Sequence, residues 1–438
     1  MLSIIDWRQE KLSPAWLSRK VPRVSNAESS VDAAVSALID EVRTRGSDAL
    51  LDQAERFDGC RPQGIRTPRE RLSQALKELD PKLRSSIEIA IDRVRQASQA
   101  QVPPPAETDL GPGAVVTQRW QPVDRAGVYI PGGKAVYPSS VVMNVVAAQV
   151  AGVGEIVLVS PPQAEWDAEI HPTILATAEL LGVTEVYRVG GAGAIGALAY
   201  GVPDAGLEPV SVITGPGNSY VATAKRLVKG VVGIDSEAGP TEIVVIADGT
   251  TPADFVASDL VSQAEHDEMA QAVMVTTDPD YAERVVAMVE KRASETAHRD
   301  RVTTSLSGPQ SAVILVESLT DAIAVSDALA PEHLEICTAE AEKVASQVTH
   351  AGAIFLGPYT PVSAGDYLAG SNHVLPTGGQ AKFQSGLSAM TFLRPQQIVE
   401  YSREALAEVA DDIVRFANAE DLPAHGEAVT ARFEAGEE

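Results

Sequence analysis

At 438 residues the chain exceeds what one hydrophobic core organises comfortably, so two or more domains are expected. Hydrophobic residues make up 45% and charged residues 22%, a balance that excludes disorder over most of the length. The 35 basic and 60 acidic residues leave a net charge of −25, which repels nucleic acid and anionic membrane and leaves small molecules or copies of the chain as partners.

The N-terminus, MLSIIDWRQEKL, carries charges where a signal peptide has an apolar core. Residues 30–101 read as helical. Ser30 can cap a segment in which Val31, Ala34, Val35, Leu38, Ile39 and Val42 recur at helical spacing. Pro81 splits two later helical segments, Pro103-Pro104-Pro105 ends the region, and Val115–Val123 reads as a strand. From Val128 short apolar runs alternate with amphipathic ones. Strands are expected at Ile156–Ser160, Glu185–Val189, Val210–Thr214, Ile243–Ala247, Ala272–Thr276, Ala312–Val316 and Ala353–Leu356. Helices are expected between them at Ser139–Ala151, Thr173–Leu181, Tyr220–Val228 and Ala253–His266. This alternation predicts an α/β fold with two mainly parallel, Rossmann-like open sheets and a helical N-terminal part. The most apolar stretch, Val141–Val159, contains Asn144, Gln149, Glu155, Gly152 and Gly154 and reads as helix then strand, not as a membrane span. After Gly357 comes a Gly- and Ser-rich loop region, and residues 404–418 form a last helix. Cys60 and Cys337 lie outside any C-x-x-C spacing, which excludes a disulfide scaffold or thiolate zinc site and fits a reducing cytoplasm.

Three Gly turns follow expected strands: Pro131-Gly132-Gly133, Gly190-Gly191-Ala192-Gly193 and Gly215-Pro216-Gly217-Asn218. Such turns are where open α/β sheets bind ligands. Gly191, Gly193 and Gly196 match G-x-G-x-x-G, but the next strand ends Val212-Ile213-Thr214, without the acid that would hold a ribose. Tight helix–strand packing explains the glycines equally well.

Four polar clusters carry chemistry. Gln263 and His266 share a helix face, and amide oxygen with imidazole forms part of a zinc shell, although a helix-end His is more often a cap. Glu332-His333 pairs a carboxylate with a group titrating near neutrality, suited to sequential proton transfers. Gly365-Asp366-Tyr367 with Gly370-Ser371-Asn372-His373 lies in a loop-rich region. Glu420-Asp421-Leu422-Pro423-Ala424-His425 follows the last helix as a tail.

In this order the clusters, with Gly127–Gly133, Thr214–Asn218 and Ala238-Gly239-Pro240-Thr241-Glu242, closely resemble histidinol dehydrogenase. The resemblance implies zinc- and NAD-dependent oxidation of L-histidinol to L-histidine through the aldehyde, with two NAD per substrate. It implies one Zn2+ per subunit, held by Gln263, His266, Asp366 and His425, and Glu332 and His333 as the catalytic pair. Thr241, Gln263, His266, His333, Asp366, Glu420 and His425 would contact substrate, and Tyr129, Gly193 and Asn218 would contact NAD. It further implies a cytoplasmic homodimer with shared sites, and this partition: an arm (1–25), a first α/β domain (26–128 and 240–378), a second (129–239), and a C-terminal extension (379–438) reaching the partner's site. At position 193 the family usually has Gln, so restoring Gln is expected to strengthen NAD binding. The alternatives are a related zinc dehydrogenase of another small alcohol and a non-catalytic scaffold.

Overall fold

A computed structural model describes residues 2–23, 31–132, 135–237 and 239–434. Ser30, Gly133 and Ala238, named above in a cap and two motifs, lie outside the described residues. Contacts divide the chain into two compact units, Met1–Gln101 with Val123–Phe392, and Val102–Pro122 with Leu393–Glu438.

The first unit holds two parallel sheets. One orders its six strands Ser3–Asp6, Ala312–Leu315, Gln271–Thr276, Glu242–Ala247, His333–Cys337 and Ala353–Leu356. Its central strands read as nearly unbroken apolar runs because both faces are covered, and every residue of Glu242–Ala247 and Gln271–Thr276 is buried. Ile243, Val245, Ala272 and Met274 enter the core on one face. Val244, Ile246, Val273 and Val275 enter that on the other. The part expected as an N-terminal arm contributes the edge strand Ser3–Asp6, paired in parallel with Ala312–Leu315.

The second sheet orders Glu185–Arg188, Glu155–Ser160, Arg125–Tyr129, Val212–Thr214 and Gly233–Ile234, again all parallel. The chain steps outward from the Arg125–Tyr129 strand to its neighbours on one side, then returns to lay Val212–Thr214 on the other. The reversal opens a crevice at the strand C-termini. Helix Pro138–Ala151 is buried nearly all round, so its sequence lacks a polar face. The expected helical N-terminal region consists of Asp32–Arg45, Ser47–Phe57, Arg69–Glu78 and Pro81–Gln99, the last opened by an Asp80 cap and Pro81.

The second unit is an antiparallel sheet, Leu393–Tyr401, Ala114–Pro122 and Ala106–Gly111, with helices Arg403–Ala419 and Pro423–Glu434. The stretch expected as a tail is a turn at Glu420–Leu422 that leads into the second of these helices. Gly426 is buried against Val414 of the preceding helix, where a Cβ would lie 3.4 Å from Val414 Cα, at contact distance.

Candidate functional site

The first sheet concentrates polar groups at the N-terminal edge of its strands. Register places Ile243 beside His333 and Glu242 beside Gln271, so Thr241-Glu242 and Glu332-His333 meet at the strand starts. Helix Ala253–Ala264 follows the Glu242–Ala247 strand and runs back toward that edge, carrying Gln263 with it. The helix stops at Ala264, so His266, expected within it, lies in the turn beyond, its N–H donating to Gln263 O at 3.3 Å.

A hydrogen-bonded chain links these groups. Gln263 Nε2 donates to Thr241 Oγ1 at 2.6 Å, and Thr241 Oγ1 donates to Glu332 Oε2 at 2.5 Å. The Glu242 N–H donates to the same carboxylate oxygen at 3.0 Å. His333 Nδ1 lies 3.0 Å from the Glu242 carbonyl oxygen. A carbonyl oxygen only accepts, so Nδ1 carries the hydrogen and Nε2 presents a lone pair. That Nε2 is buried and has no partner among the described residues. A basic nitrogen has been aimed, and nothing among the described residues occupies it.

Burial sets the electrostatics. It pushes the Glu332 carboxyl up to about 7 against the downward pull of the Thr241 and Glu242 hydrogen bonds. It holds the His333 imidazole below its usual range, against the Asp366 charge. Glu242, which sequence reasoning left without a role, is pushed up to about 8 by burial and by the Glu332 charge. Its main chain fixes both catalytic candidates, a role visible only once the strands are in register.

His266 and Asp366 line a cleft of about 490 Å³ with Ser139, Val142, Ser262 and Arg301, between the first sheet's helices and the start of helix Pro138–Ala151. The His266 ring is accessible from the cleft while protein surrounds its other sides, and that surround followed by the His333 charge lowers its pKa. Asp366 lies in the last turn of the short helix Val362–Tyr367, is pushed up to about 6 by burial, and has no side-chain hydrogen bond among the described residues. Its carbonyl is bonded to His373 Nδ1 at 3.0 Å, and His373 Nε2 meets Ser140 Oγ at 3.0 Å, which ties the loop to helix Pro138–Ala151. Glu335, two residues after His333, accepts from the Val362 N–H at 2.9 Å through Oε1 and lies near Asp259 on the Gln263 helix, while its Oε2 is buried with no partner among the described residues. Burial followed by the Asp259 charge raises its carboxyl.

At the second sheet, Tyr129 is buried, and its Oη accepts from the Gly191 N–H at 3.4 Å. Asn218 is exposed and caps helix Ser219–Val228, its Oδ1 accepting from Tyr220 N and Val221 N at 3.0 and 3.1 Å. Gly215 has φ +117 and a Cβ there would lie 2.0 Å from Tyr129 O, so only glycine lets the two strand ends come together. The buried Lys225–Asp235 ion pair fixes this turn, Asp235 accepting from Gly215 N and Lys225 donating to Gly215 O.

Gly193 is buried and faces helix Ser47–Phe57, where a Cβ would lie 2.1 Å from Gln53 Oε1. Gln53 and Leu50 border the space a longer side chain would need, so Gln at 193 would have to displace them before it could contact NAD. Gly193→Gln is expected to destabilise the fold by about 1–3 kcal/mol through overpacking. A urea midpoint equal to that of the unsubstituted protein would refute this. Glu420 and His425 belong to the second unit, Glu420 at the C-cap of helix Arg403–Ala419 and His425 on helix Pro423–Glu434, both exposed.

The histidinol dehydrogenase family profile matches residues 21–433. The chain is 58% identical over 434 residues to histidinol dehydrogenase of Leifsonia xyli subsp. xyli, covering 99% of both chains. It is 52% identical over 437 residues to that of Mycobacterium tuberculosis, covering 99% of this chain and 98% of the relative. The crystal structure of histidinol dehydrogenase from Elizabethkingia anophelis superposes with a TM-score of 0.93 at 31% identity, covering 99% of this chain and 98% of that one. The chain belongs to the histidinol dehydrogenase family of NAD-dependent oxidoreductases.

Proposed function

We propose that the chain oxidises L-histidinol to L-histidine through L-histidinal, the final stage of histidine biosynthesis, with zinc and NAD. The observation that carries this reading is the partnerless His333 Nε2, oriented by the Glu242 carbonyl beside the Glu332 carboxylate. A hydride can leave the carbinol carbon only as the hydroxyl loses its proton, and Nε2 is the atom left to take it. The aldehyde must then add water before a second hydride leaves. Glu332 Oε2 is committed to Thr241 and Glu242, so Oε1 is free to take the water's proton. Alcohol to carboxylate is a four-electron change and each hydride carries two, so two NAD are consumed. Tyr129, Asn218 and the backbone at Gly193 are the residues proposed to meet NAD.

The donor set fits zinc. Gln263 has given its amide nitrogen to Thr241, which leaves the amide oxygen; Asp366 has an uncommitted carboxylate; His266 opens on the cleft. Bound there, zinc would orient the substrate and polarise its polar groups. Among the described residues no three His, Cys, Asp or Glu side chains group as a metal site, and a tetrahedral shell calls for a fourth donor. His425 of a second copy is the proposed donor, with Glu420 beside it facing the substrate. The second unit's surface favours such a homodimer: Phe416 is 73% and Val399 65% exposed, and only Ala405 and Ala417 of helix Arg403–Ala419 are buried. A cytoplasmic setting agrees with the free thiols of Cys60 and Cys337. Among the described residues no helix is long and apolar enough to cross a membrane.

The test is the ratio of NADH formed to L-histidinol consumed, with an aldehyde trap present. Two NADH and no trapped aldehyde are expected, and a ratio of one with aldehyde accumulating would overturn the four-electron reading. Chelation is expected to abolish turnover, with zinc restoring it. His266→Asn should lower the zinc retained after gel filtration, measured by elemental analysis. Full activity in protein shown to be metal-free would remove zinc from the scheme.

A further inference from the structure

The second sheet has a dinucleotide-like turn and no acid on the following strand, yet the fold delivers one from elsewhere. Asp58 caps the C-terminus of helix Ser47–Phe57, its N–H donating to Ala54 O at 2.8 Å. Its carboxylate comes to the turn after the Glu185–Arg188 strand: a Cβ on Gly190 would lie 3.5 Å from Asp58 Oδ2. The same Cβ would lie 2.6 Å from Pro161 Cβ, so glycine keeps open the space that Asp58 and Pro161 border. At Gly191, with φ +61, a Cβ would meet nothing within 4 Å, so the turn faces free space. Asp58 is half-buried, has no hydrogen-bond or ionic partner for its carboxylate among the described residues, and is pushed up to about 6 by burial alone. A carboxylate drawn partly out of water without a donor is costly unless a ligand supplies one.

Position within the sheet says which ligand. In a sheet of this connectivity the adenosine half of a dinucleotide lies over the strands stepping outward from the first, here Glu155–Ser160 and Glu185–Arg188. Asp58 stands at the ends of those strands. Two carboxylate oxygens match the two neighbouring hydroxyls of a ribose, and the same charge opposes a 2′-phosphate. We infer that Asp58 receives the adenosine-ribose hydroxyls of NAD and disfavours NADP, an inference that rests on the NAD reading above.

The experiment is calorimetric titration of the zinc-loaded protein and its Asp58→Ala variant with NAD, NADP, ADP-ribose and nicotinamide mononucleotide. NAD and ADP-ribose should each bind the variant on the order of 10- to 100-fold more weakly, as expected for loss of a charge-assisted hydrogen bond. Nicotinamide mononucleotide should be unaffected, and the preference for NAD over NADP should shrink. The variant's Tm should not fall, because the carboxylate has no protein partner to lose. An ADP-ribose Kd unchanged in the variant overturns the inference, as does an equal loss for nicotinamide mononucleotide or a lowered Tm accompanying the weaker binding. If the unsubstituted protein binds neither NAD nor ADP-ribose, the NAD reading itself fails and the inference with it.

Discussion

His333→Asn is expected to slow oxidation of histidinol and of supplied histidinal alike, by about 10²–10⁴-fold, the usual contribution of a positioned base. Asparagine retains a hydrogen-bonding group toward the Glu242 carbonyl but offers no basic nitrogen where Nε2 stood. Glu332→Gln should separate the two half-reactions. The amide oxygen can still accept from Thr241 Oγ1 and Glu242 N, so the local fold survives, while the base for hydrating the aldehyde is lost. Histidinal oxidation should fall by a similar factor and alcohol oxidation by much less. The pH profile gives the sign. Burial raises the Glu332 carboxyl to about 7, so its base form grows as pH rises through neutrality. Histidinal oxidation should therefore climb through that region, and the limb should vanish in Glu332→Gln. Normal histidinal turnover by that variant would show that another group activates the water.

Much of the fold was legible because parallel strands buried on both faces must be apolar throughout. Ala353–Leu356 was placed to the residue, and Ala312–Leu315 to within one residue. The buried strand His333–Cys337 was not among those expected, its apolar run being broken by Glu335, and some elements exempt from that constraint were missed as well. Ser3–Asp6 is a largely exposed edge strand, and Leu393–Tyr401 is exposed along nearly its whole length, so neither needs an apolar run. The Pro423–Glu434 helix was read as part of a tail; it is exposed along most of its length, so it shows no long apolar stripe. The site residues were nameable by type and order, but their arrangement was not. Open α/β sheets direct attention to strand C-termini, whereas Thr241, Glu242, Glu332 and His333 gather at the opposite edge of the first sheet. Which nitrogen of His333 is free depends on a cross-strand register that no local pattern encodes. Asp58 escaped notice for the same reason, since it reaches the Gly190 turn from a helix more than a hundred residues earlier.

Mixing two inactive variants, His333→Asn and His425→Ala, is expected to restore activity. If each site takes its core residues from one subunit and His425 from the other, a mixed dimer contains two unlike sites. One combines the core that carries His333→Asn with the helix that carries His425→Ala and is dead. The other joins an intact His333 core to an intact His425 helix and works. Random reassortment makes about half of the dimers mixed, so roughly a quarter of the unsubstituted activity should return in a two-fold dimer. The position of His425 makes the experiment sensitive, because it is exposed on helix Pro423–Glu434 and its loss removes a donor without opening a core. Each variant alone should stay folded, and the His425→Ala homodimer should retain less zinc. Sites built wholly within one chain would regain nothing on mixing. No recovery, with subunit exchange demonstrated by mass-tagged chains, would therefore reject the shared site and return the search for the fourth zinc donor to the chain's own cleft.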